Sequence, residues 1–114
     1  VIDLAAGTGP GRLSGVAGGR RDARDVDPTC AGFVGDSPDH ILHVQDVMEL
    51  TIRVESDADT SLVVQGPHDR VLCDDDTVGL LPAIRAHLDP GDYMVYVGAH
   101  DETTAPPYLL TVSR

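Results

Sequence analysis

From residue 40 to the C-terminus the chain reads with a period of two. In "MELTIRVE", Met48, Leu50, Ile52 and Val54 alternate with Glu49, Thr51, Arg53 and Glu55. That is the pattern of a strand with one face on a core and the other in water. The same arithmetic predicts strands at 41–45 ("ILHVQ"), 61–66 ("SLVVQG"), 70–73 ("RVLC"), 83–88 ("AIRAHL"), 92–99 ("DYMVYVGA") and 108–113 ("YLLTVS"). Turn chemistry separates them at "GPHDR", "LDPGDY" and "TTAPPY", where proline, glycine and aspartate set the backbone angles. About seven to eight short strands with no helical period between them predict an all-β chain. The architecture expected is an antiparallel β-sandwich, jelly-roll-like or immunoglobulin-like. Aromatic residues make up 4 % of the chain, so the core has to be filled by Val, Leu and Ile.

Residues 1–29 read differently. "GTGPGRLSGVAGGRRDARDVDP" is rich in Gly, Arg and Asp and keeps neither period, so it is expected to be extended or irregular. The opening "VIDLA" is β-capable wherever an acceptor edge exists. The expected organisation is an N-terminal extended segment, 1–14, ahead of a sandwich domain, 15–114.

With 114 residues and 12.0 kDa the chain suffices for one domain with a real core. Its net charge of -11 argues against nucleic acid and anionic membrane as partners and leaves cations as the natural complement. No apolar run is long enough to span a bilayer, and no basic-then-apolar leader is present. The start at Val1 rather than methionine fits a mature chain whose leader has been removed. Cys30 and Cys73 enclose about forty residues; they are either two buried thiols or one bridge worth about 3 to 4 kcal/mol in the chain-entropy model.

The chemistry on offer is acidic. "ESDADTSL" and "CDDDTVG" each end a predicted strand, and if those strands are neighbours, Asp57 and Asp59 face Asp74, Asp75 and Asp76 across one rim. Calcium takes six to eight oxygens from carboxylates, carbonyls and water, which loops supply; the plain alternative is a solvated acidic surface. Neither cluster has the helices, glycine or terminal glutamate of an EF-hand loop. His40, His43, His68, His87 and His100 form no zinc spacing. The serines lie in no nucleophile-elbow context. "GTGPG" has no strand before it and no lysine after it, so it is no phosphate loop.

Taken in order, "S-D-x-D-T-x-L", "G-P-x-x-x-x-x-C-D-D" and "G-x-Y-x-V-Y-V-G" resemble the bacterial pre-peptidase C-terminal domain, in its paired-cysteine secreted variant, over roughly residues 15–114. The resemblance implies a sandwich outside the cytoplasm with no catalytic residues, a Cys30–Cys73 disulfide, and calcium ligands among Asp57, Asp59, Asp74, Asp75 and Asp76. The family's "P-D-G" turn is here Pro67, His68, Asp69, which leaves the geometry of that tip open.

Such domains accompany secreted peptidases, whereas this chain consists of little else. The leading expectation is therefore a secreted, non-catalytic, calcium-binding structural protein of a surface or matrix. It would self-assemble if Val1, Ile2 and Leu4 add as a strand to a neighbour's open edge. The alternative is an accessory domain of an exported hydrolase that recognises polysaccharide or protein.

Overall fold

The computed structural model describes residues 2–4, by their backbone, together with 11–75 and 81–114. Eleven strands run through them: β1 (Ile2–Leu4), β2 (Gly11–Val16), β3 (Arg21–Asp22), β4 (Phe33–Val34), β5 (His40–Val44), β6 (Met48–Glu55), β7 (Thr60–Gln65), β8 (Val71–Asp74), β9 (Ala83–Leu88), β10 (Gly91–Ala99) and β11 (Pro107–Ser113). The seven strands expected after residue 40 are β5 to β11, and β6 and β9 have the expected ends.

The strands form two sheets. The four-stranded one has the order β2-β11-β6-β9. In the other, β10 pairs with β5 along Gly91–Val95, with β4 at Ala99, and with β7 along Met94–Ala99. β8 closes one edge beside β7, and β1 lies beyond β5. Every pairing is antiparallel except β1 with β5, which is parallel in the register Ile2↔Leu42, Asp3↔His43, Leu4↔Val44.

Alternation decides which side chains meet. β6 presents Met48, Leu50, Ile52 and Val54 inward, as its pattern predicts, against Leu42, Leu62, Val64, Val95 and Val97 of the larger sheet. β7 departs from alternation because Thr60 to Val64 are all buried, one face on the intersheet core and the other under residues 17–34. That covering segment carries β3, a 3-10 turn at Ala23–Asp25, and β4. Its Ala23, Cys30 and Val34 pack on Val63 and Tyr96 to make a second, smaller core. Cys30 is bonded to Cys73 of β8, so the cover is tied to the sheet edge.

The structure gives form to two stretches that the sequence left irregular or open. Residues 11–16 are a full strand paired with β11, and it crosses the expected boundary between 14 and 15. Its period was hidden because the inward positions are Gly11, Leu13 and Gly15. The phenol of Tyr108 takes the space beside Gly15, where a Cβ would come within 2.6 Å of the hydroxyl. At the altered tip, Pro67–Asp69 form a 3-10 turn in which His68 and Asp69 both have φ of 60°, a conformation that Asp and His adopt more readily than most residues.

Candidate functional site

At one end of the larger sheet, register brings the acidic residues of two strands together. β7 and β8 pair Leu62 with Asp74 and Val63 with Cys73. One step further, Asp75 comes level with Ser61, on the covered face that Val63 and Cys73 share. β10 and β7 pair Gly98 with Ser61 and Ala99 with Thr60. His100 therefore comes level with Asp59, and its Nδ1 stands 3.3 Å from Asp59 Oδ2. That pair is largely exposed and contributes little to stability.

Asp59, Thr60, Ser61, Asp75 and His100 line a cavity of about 50 Å³, walled on its outer side by Ala31 and Gly32 of the cover. A shallower depression of about 320 Å³ shares Gly32, Asp75 and His100 and runs on to Asp22 and Arg24. Arg24 donates to Asp22 over 2.7 Å; these hydrogen bonds hold the Asp22 carboxyl below its ordinary range.

Two hydroxyls at this end of β7 are buried and unsatisfied, that of Ser61 on the covered face and that of Thr60 on the opposite face, toward the intersheet core. Thr60 and Ser61 are 1 % and 4 % exposed, and neither Thr60 Oγ1 nor Ser61 Oγ has a hydrogen-bond partner. A buried hydroxyl without a partner costs about 1 to 3 kcal/mol. The space around Ser61 is made by glycine on both sides: a Cβ on Gly98 would stand 2.2 Å from Ser61 Oγ, and one on Gly32 2.4 Å from it. Gly32 also has φ of 90°, which side chains with a Cβ resist.

The five candidate aspartates divide. Asp59 and Asp75 share the cavity. Asp57 lines a separate, wide groove with Arg53, Glu55, Leu81 and Leu109. Asp74 accepts a 2.9 Å hydrogen bond at Oδ2 from the Ala83 amide, which ties β8 to the start of β9. Asp76 lies outside the described residues, as does Val1, while Ile2 and Leu4 are the ends of β1. Among the described residues no three His, Cys, Asp or Glu side chains stand close enough to hold an ion by themselves. The hydroxyls of Thr60 and Ser61 were missed in the sequence, although both follow "DAD" directly; what marks them is burial without a partner, which no sequence pattern encodes.

Ser61, His100 and Asp59 are the residue types of a hydrolytic triad. The geometry differs, because Ser61 Oγ bonds to no base and a nucleophile needs one within about 3 Å.

No protein-family model and no curated protein matches the chain. Among solved structures it is similar to the pre-peptidase C-terminal domain of collagenase from Bacillus anthracis, with a TM-score of 0.64 and 18 % identity over 98 % of this chain and 91 % of that one. It is also similar to PliG of Aeromonas hydrophila, a periplasmic inhibitor of g-type lysozyme, with a TM-score of 0.57 and 15 % identity over 98 % and 93 %. At these identities the likeness is one of fold.

Proposed function

We propose that this chain is a non-catalytic module working outside the cytoplasm, with a structural role, whose acidic end is ordered by calcium. The observation that carries the calcium part is the cavity in which the carboxylates of Asp59 and Asp75 meet the buried Ser61 hydroxyl, which has no partner. Calcium accepts carboxylate, hydroxyl, carbonyl and water oxygens in irregular sets, so two carboxylates and one hydroxyl, completed by water, suit it where three converging acidic side chains are lacking. The Cys30–Cys73 bridge supports an oxidising compartment. The fold is shared with a domain of a collagenase and with a periplasmic inhibitor, which supports the same location and a role without catalysis.

Calcium that binds only the native state raises its stability, by about 2.7 kcal/mol when free ion is a hundredfold above the dissociation constant. Melting curves in excess calcium are expected well above those in chelator. Coincident curves would overturn the calcium reading.

Assembly belongs to the same proposal. β1 is a three-residue strand that, among the described residues, pairs with β5 alone, and the register it uses within its own chain is equally available to the same segment of a second copy. Exchange of one strand between copies costs little, because the incoming strand restores the same pairing that the outgoing one gives up. Copies joined head to tail in this way build the surface or matrix material that the structural role requires.

A further inference from the structure

The cavity lies on one face of the larger sheet. Asp59 and Ser61, two residues apart at the start of β7, share that face; register sets Asp75 and His100 beside them, on the neighbouring strands. Ala31 and Gly32 of the cover close the outer side. Ser61 is 4 % exposed, and its Oγ has no hydrogen-bond partner. Such a set calls for a donor that carries positive charge. Carboxylate and hydroxyl oxygens accept hydrogen bonds, and two carboxylates about one small space repel each other until a cation stands between them.

We propose that this cavity is a socket for the side-chain ammonium of a lysine on a partner protein, received by Asp59, Asp75 and Ser61 Oγ, with the stem of that lysine lying in the outer depression against Ala31 and Phe33. The proposal goes beyond the calcium reading and does not rest on it.

Three features select lysine. An ammonium has three rotatable donors, one for each acceptor, whereas a guanidinium is a planar fork that matches one carboxylate side-on. The space of about 50 Å³ is several times what one water needs, which is room for a compact head group. The depression of about 320 Å³ beside it shares Ala31, Gly32, Asp75 and His100 and adds Phe33; lysine lays its four-carbon stem along such apolar side chains while its head reaches polar partners. Neither carboxylate has to give up a contact, because each has about four acceptor sites. Asp59 keeps its approach to His100, and Asp75 an interaction of its own.

The occupant is a different protein. All eight basic residues of this chain are arginine, so neither the chain nor a second copy has a lysine side chain to offer. A net charge of -11 draws basic partners and raises their rate of encounter. Calcium draws on the same oxygens, so the ion and the lysine exclude one another, and calcium bound here releases the partner.

The test uses the full oxidised chain, labelled with nitrogen-15, in chelator and low salt. It is titrated with the capped tripeptide Gly-Lys-Gly while backbone amide shifts are read by NMR. Saturable shifts are expected at Gly32, Ser61 and His100. The same peptide acetylated on the lysine Nζ, and Gly-Arg-Gly, are expected to bind at least about tenfold more weakly, as is the lysine peptide to Asp59→Asn and Asp75→Asn. Ser61→Ala is expected to lose several-fold in affinity, and Asp57→Asn, altered in the separate groove, to bind as the unaltered chain does. Ser61→Ala removes a buried hydroxyl without a partner, so it is expected to melt no lower than the unaltered chain, which keeps loss of the socket apart from loss of the fold. No shift at those amides, equal binding of the acetylated or arginine peptide, or equal weakening in Asp57→Asn overturns the socket. Glucosamine, an ammonium on a sugar, is the rival source; glucosamine that binds as tightly as the lysine peptide overturns the partner protein. Calcium chloride in place of chelator is expected to displace the peptide, and a chain that holds both at once overturns the exclusion. A chain that takes the peptide but no calcium overturns the calcium reading above and leaves the socket standing.

Discussion

His40 and Tyr108 share a 2.7 Å hydrogen bond between Nε2 and the phenol oxygen, partly buried between the sheets. Burial pushes the Tyr108 ionisation far up, so its O–H donates. Burial also lowers the His40 pKa from 6.5, against the pull of Asp39, so the neutral ring accepts. Because the folded value lies below the unfolded one, the stability from His40 is present above about pH 6.5 and is lost as pH falls through the folded value. Asp39 has the opposite sense. Its half-buried carboxyl, accepting at 2.8 Å from the Val97 amide, has its pKa raised from 3.8 chiefly by burial, and its contribution is present below that value and lost as pH rises through the folded one. The melting temperature is therefore expected to fall between about pH 7 and pH 5. His40→Gln, which keeps an acceptor for Tyr108 but cannot titrate, is expected to flatten that slope. Equal slopes in the two proteins would show that this histidine does not set it. From the sequence, His40 was one of five scattered histidines; its partner is 68 residues away, and no local pattern announces such a contact.

The covering segment shows how far an element can depart from its sequence signal. β3 and β4 are two residues each, too short to display a period, and they exist because β10 offers Ala99 as a pairing partner to Phe33. What keeps the cover in place is Ala23, Cys30 and Val34 on Val63 and Tyr96, together with the bridge. The two half-cystines are 43 residues apart, so removing the bridge by the paired change Cys30→Ser and Cys73→Ser is expected to cost about 4 kcal/mol in the chain-entropy model. The loss should be local first. Hydrogen exchange is expected to quicken for the amides of Ala23, Val26 and Cys30, which bond to carbonyls within or beside the cover, while β6 and β11 stay protected. Uniform loss of protection across both sheets would mean that the cover and the sandwich unfold as one unit.

For the molecule as a whole, assembly turns on where β1 pairs. It reaches β5 in the larger sheet, while β2, which follows it in sequence, belongs to the smaller one; because β5 is its partner among the described residues, the proposed exchange would supply it from another copy without altering either sheet. Under the proposed exchange, donation of β1 in one direction is a heterologous contact, which gives a filament unless the rotation closes a ring. Full-length protein at high concentration in calcium is expected to grow in light scattering and to show filaments in electron micrographs. A variant lacking residues 1–9 is expected to remain a folded monomer. A monomeric full-length chain, or equal assembly of both proteins, would mean that β1 serves only its own β5.

Period-two alternation was sufficient for the sandwich, because a strand with one face in water must alternate: β6, β9 and β11 could be read off Met48–Glu55, Ala83–Leu88 and "YLLTVS" almost to the residue. Acidic clusters at strand ends were legible for the same local reason; the pairing of Cys30 with Cys73 was only what the resemblance implied. Tertiary structure decided what depends on neighbours distant in the chain. It made a strand of residues 11–16, whose inward Gly15 leaves room for the Tyr108 ring. It buried both faces of β7, one on the intersheet core and the other beneath the cover. It also sorted the aspartates by register, sending Asp59 and Asp75 to one cavity, Asp57 to a different groove, and Asp74 to the Ala83 amide. A side chain's direction follows from its own strand, but the company it keeps is set by which strands lie beside it and in what register. Sequence spacing carries the first of these and not the second.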